Sequence, residues 1–62
     1  MSLNNLPGDP NILASFINTK LRDEYTAGLD ELCDDMQIDR GELIDTLSAA
    51  GYTYIPEINQ FR

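Results

Sequence analysis

Apolar residues fall at Ile12, Leu13, Phe16, Ile17, Leu21 and Tyr25, the three- and four-residue spacing of one helix face. Just ahead, Asp9-Pro10 supplies a capping carboxylate and a residue whose missing N–H costs nothing in a first turn. The pattern predicts a first helix over about residues 10–25, closed by Tyr25-Thr26-Ala27-Gly28. Its apolar stripe is broad enough to touch two neighbours, while Asn11, Asn18, Arg22 and Asp23 lie away from it. Leu29, Leu32, Cys33 and Met36 predict a second helix over about 29–36, with Gly28 as its cap. Asp30 and Glu31 sit in its first turn, where the helix dipole favours negative charge. Asp39 then restarts the pattern: with Glu42 three residues on it resembles a capping box, ahead of Leu43, Ile44, Leu47 and Ala50. Gly51 ends this third helix.

The last eleven residues change period. Tyr52, Tyr54 and Phe61 are aromatic, Thr53 and Ile55 are β-branched, and Pro56-Glu57-Ile58-Asn59 reads as a type I turn ending in a left-handed asparagine. With Ile55 opposite Gln60 and Tyr54 opposite Phe61, a small β-hairpin would close over the helices with its aromatic face. Stacking of the three aromatics on single-stranded bases is a poorer reading, because Arg62 is the single cation that flanks them. The fold class is mainly α: a three-helix, helix-turn-helix-like domain with a short C-terminal β-hairpin. Gln37 departs from that pattern. It occupies the turn position usually given to glycine, where positive φ would strain a glutamine by roughly 1–2 kcal/mol, so a slightly remodelled turn is expected.

With 62 residues the chain has room for one domain, which we place at 9–62 behind a flexible segment 1–8. Met1-Ser2-Leu3 is given no role in the fold. Apolar residues at 42% and charged residues at 24% are ordinary globular values, which argues against a disordered chain. No apolar run nears the roughly 18 residues of a membrane span and no secretory leader is recognisable, so a cytoplasmic address is expected. Cys33 is the one cysteine and there is no histidine, so neither an internal disulfide nor a cysteine–histidine zinc site is available. A calcium loop starting at Asp35 fails as well, with Arg40 where glycine is needed and Thr46 where glutamate is needed. No metal and no cofactor are expected. Cys33 reads as a small buried hydrophobe, and Ser15 and Ser48 lack an accompanying base, so enzymatic activity is the reading rejected most firmly.

Eleven acidic against four basic residues leave a formal charge of −7. It is concentrated: between residues 26 and 51, Asp30, Glu31, Asp34, Asp35, Asp39, Glu42 and Asp45 face Arg40 alone, a net −6. Phosphate backbones reward clustered cations, so nucleic acid is a poor partner for that stretch. The exposed face of the third helix would offer Arg40, Glu42, Asp45, Thr46 and Ser48, one positive charge against two negative. A protein partner is therefore expected, with a DNA-binding or transcription accessory role led by Arg40 as the alternative. Asn18, Arg22 and Asp23 on the first helix and Arg40, Glu42 and Asp45 on the third are the candidate partner surface. Self-association through the broad stripe of the first helix, giving a homodimer, is a third reading.

The string Asp9-Pro10-Asn11-x-Leu13-x-Ser15-Phe16-x-Asn18-x-Lys20-Leu21-Arg22-Asp23, then Leu29-x-x-Leu32-Cys33, Gly51-Tyr52-x-Tyr54 and Asn59-Gln60-Phe61, resembles a family of short bacterial proteins grouped as a domain of unknown function. The resemblance covers nearly all of the chain from Leu6 onward and implies a bacterial, free-standing small protein. The Gly-Tyr-x-Tyr ending also looks like the hairpin after the last helix of some winged helix-turn-helix proteins.

Overall fold

The Asp9 carboxylate accepts the Asn11 N–H at 2.8 Å, with Pro10 in the first turn, and starts helix α1 (Pro10–Asp23) where the sequence predicts. This computed structural model describes residues 6–62; Met1-Ser2-Leu3 and the rest of 1–5 lie outside the described residues. Helix α1 stops two residues short of the predicted end. The N–H groups of Glu24 and Tyr25 both reach the Lys20 carbonyl, at 2.8 and 2.9 Å, which closes the last turn before Tyr25 can join it.

Helix α2 (Leu29–Met36) follows Gly28, whose φ of 134° suits glycine alone. It ends at Gln37 with φ 56° and ψ 46°, the left-handed conformation of an unmodified turn. The expected remodelling does not occur, and glutamine carries the strain. The neighbouring Ile38 offsets it: its side chain is buried and its N–H reaches the Cys33 carbonyl at 2.9 Å. After Gln37-Ile38-Asp39, helix α3 (Arg40–Ala49) begins with the Asp39 carboxylate accepting the Glu42 N–H at 3.1 Å. It ends in a Schellman closure: Gly51 at φ 93° donates to Ser48, and Tyr52 donates to Leu47, both at 2.9 Å.

Strands β1 (Tyr54–Ile55) and β2 (Gln60–Phe61) pair antiparallel with Tyr54 opposite Phe61 and Ile55 opposite Gln60, the predicted register. Asn59 takes the left-handed conformation at φ 53°. The Phe61 ring is only 2% exposed, with its centroid 5.4 Å from that of Tyr54.

One core results, in which Ile17, Leu21, Leu32, Leu43 and Leu47 are fully buried and Phe61 is the lid. Two details of the predicted core are corrected. Helix α1 buries Leu13, Ala14, Ile17 and Leu21, a narrower strip than expected, and leaves Ile12 58% exposed with Phe16 half-buried. Ala50, assigned to the buried face of the third helix, is exposed because the chain is already turning into the Gly51 closure. Leu6, from the segment expected to be flexible, packs against the core margin. Among the described residues no helix is long and apolar enough to cross a membrane.

Candidate functional site

The Phe61 N–H and C=O both meet the side chain of Asn18. The Asn18 amide donates to the Phe61 carbonyl at 3.0 Å and its Oδ1 accepts the Phe61 N–H at 2.7 Å. One primary amide thus stands in for the peptide unit of a missing third strand. This corrects the exposure expected of Asn18: it is half-buried, and both ends of its amide are used inside the fold. Asn59 is committed in the same way. Its amide donates to the Leu21 and Tyr25 carbonyls at 3.2 Å, capping the end of α1, while its Oδ1 accepts the Tyr54 hydroxyl at 2.7 Å. That hydroxyl oxygen in turn accepts the Leu29 N–H at 3.3 Å, at the start of α2.

Arg22 and Asp23 are exposed and bound to each other, Nε to Oδ1 at 3.0 Å. The hydrogen bond from the guanidinium holds the Asp23 carboxyl below its usual range and raises the Arg22 pKa further. With Asn11, Ser15, Thr19, Tyr52 and Gln60, Arg22 and Asn18 line a polar groove of about 310 Å³ between α1 and the C-terminal strand. The Tyr52 hydroxyl donates to Asn11 Oδ1 there at 2.7 Å. Sequence reasoning did not assemble this groove. The spacing of Asn11, Ser15, Asn18 and Arg22 along one side of a helix was legible, but nothing local indicated that Gln60 and Tyr52 would join them.

The second half of the predicted surface lies on α3. Arg40 bonds Asp30 across the turn, Nε to Oδ1 at 2.7 Å, so the lone cation of the acidic stretch is already answered. Glu42 and Asp45 are exposed. Among the described residues no hydrogen bond, ion pair or groove joins this group to Asn18, Arg22 and Asp23.

Two ionisable groups bear on chemistry. Cys33 is buried and burial pushes its thiol pKa up, which keeps it protonated and poorly nucleophilic. The Tyr25 hydroxyl donates to the Asp35 carboxylate, and this bond raises its pKa from 10.0 to about 12. Folding therefore favours the protonated phenol. The stabilisation is complete below the ordinary phenol pKa of 10.0 and is lost as pH rises towards about 12. In a phenolate absorbance titration Tyr25 should ionise late, and Asp35→Asn should bring it back towards the ordinary phenol value of 10.0. An unchanged titration in that variant would show that the bond does not form. Among the described residues, no three His, Cys, Asp or Glu side chains gather as a metal site would need.

Three helices sealed by an antiparallel strand pair, with the exposed carboxylates on α2 and α3 and a polar groove beside α1, make a small, mainly helical domain. Residues 7–61 match the family described as a domain of unknown function, DUF4250, and the chain belongs to that family. No curated protein and no solved structure matches it.

Proposed function

We infer that this chain is a non-catalytic interaction module of the bacterial cytoplasm, and that its partner is a protein presenting a basic surface to α2 and α3. One observation carries the reading: all seven carboxylates from Asp30 to Asp45 are exposed, and among the described residues only Asp30 is paired with a cation. Concentrated charge of one sign steers a complementary surface into place and disfavours polyanions. Catalysis finds little support, since the Cys33 thiol is buried and protonated and no histidine exists to activate a hydroxyl.

Pull-down from native lysate at about 50 and about 500 mM salt tests the reading when wild type is compared with the triple variant Glu31→Gln, Glu42→Gln, Asp45→Asn. The expected outcome is a partner held at low salt, released at high salt, and reduced about tenfold by neutralisation. A partner indifferent to both salt and neutralisation would overturn it. Binding to duplex DNA, the alternative role for the third helix, is disfavoured by the Arg40 to Asp30 pair and by Glu42 and Asp45. A gel shift near 50 mM salt that Arg40→Ala abolishes would reverse that order.

A further inference from the structure

Helix α1 has a second face that the core does not use. Ile12, Ser15 and Thr19 follow one another along it, on the side away from Ile17 and Leu21. Here Ile12 projects 58% exposed beside a shallow, mostly apolar hollow of about 480 Å³ lined by Pro7, Asn11, Ile12, Ser15, Phe16 and Thr19. A protruding isoleucine next to an apolar recess bordered by Ser15, Phe16 and Thr19 is a self-complementary shape.

The charge pattern selects the occupant. Residues 1–25 sum to only −1, against −6 for 26–51, so this is the part of the chain where a second equally acidic copy meets least repulsion. Along α1 the first carboxylate is Asp9 and the first cation is Lys20, both on the Phe16 side of the face. A two-fold axis crossing α1 between them reverses the partner helix but keeps like flanks together. Asp9 of each copy then comes to Lys20 of the other, and the two helix dipoles oppose. Lys20 now bonds the exposed Glu24 at 2.8 Å, one turn away, a surface pair weak enough to be exchanged.

We propose that a second copy of this chain docks on α1, antiparallel about a two-fold near Ser15, with Ile12 of each copy seated against Ser15, Phe16 and Thr19 of the other. This interface is independent of the acidic surface, which it leaves open for a different partner.

Sedimentation equilibrium from about 1 μM to about 1 mM should show the mass doubling with concentration. Ile12→Glu should keep the helical circular dichroism of wild type, since the residue lies outside the core, and remain monomeric throughout. Lys20→Glu, with its helical circular dichroism compared in the same way, should weaken the dimer at least tenfold. In a Cys33→Ala background, Ser15→Cys should oxidise to a disulfide-linked dimer. A monomer at every concentration overturns the proposal, whether residues 1–5 or another protein cover Ile12. So does a dimer that Ile12→Glu leaves intact, or a dimer in which Cys at position 15 does not cross-link.

Discussion

Replacing Asn59 with alanine is expected to lower unfolding stability by about 3 kcal/mol, read as a fall in the urea midpoint at unchanged m-value. Alanine loses two donors to the Leu21 and Tyr25 carbonyls and the acceptor for the Tyr54 hydroxyl. It must also hold φ near 53°, which adds roughly 1–2 kcal/mol for a residue other than glycine or asparagine. The two contributions separate experimentally. Asn59→Gly keeps the backbone at ease and should cost about 2 kcal/mol, the hydrogen-bond share alone. Asn59→Asp keeps the acceptor but sets a carboxylate against two carbonyls, and should be the most damaging of the three at neutral pH. Equal losses for alanine and glycine would remove strain from the account, and a loss under about 1 kcal/mol for alanine would remove the cap as well. A domain of this size holds only some 3–9 kcal/mol in total, so Asn59→Ala should leave the fold close to its limit.

Asn18→Ala should be nearly as costly, at about 2–3 kcal/mol, by a different route. The outward N–H and C=O of Phe61 lose both partners at once, and strand β2 loses its attachment to α1. Phe61 is the lid of the core, so loosening it also exposes apolar surface. Hydrogen exchange at the Phe61 amide should accelerate in step with the loss of stability, while the α3 amides slow least affected by the hairpin change less. Asn18→Leu, similar in volume, should fail to rescue, which distinguishes a missing amide from a missing shape. Wild-type stability in either variant would return Asn18 to the role of an exposed recognition residue.

These two asparagines mark where sequence reading stopped. Asp9, Asp39 and Gly51 were legible because a cap acts on groups two to four residues away, and the strand register followed from the turn length between Ile55 and Gln60. Asn18 and Asn59 act across 43 and 38 residues. A polar side chain at the margin of a helix has the same pattern in sequence whether water or a strand edge faces it. Ile12 and Ala14 show the same limit in the core. Helical spacing set the period of the stripe, but its rotation depended on which neighbours α1 met, and they took Ala14 and left Ile12 outside. The predicted partner surface divided for that reason as well: Asn18 turned inward, Arg22 joined the groove beside β2 with Asp23 bonded to it, and Arg40 turned to Asp30.

By itself the sequence determined three helices, their caps, a hairpin with its pairing, and a concentration of negative charge between residues 26 and 51, because each depends on neighbours in the chain. Only the tertiary structure decided which polar groups are consumed in closing the fold and which apolar groups stay outside. Those outcomes depend on surfaces that meet when distant segments pack, and hydrogen-bonding and burial are settled by that meeting rather than by spacing along the chain.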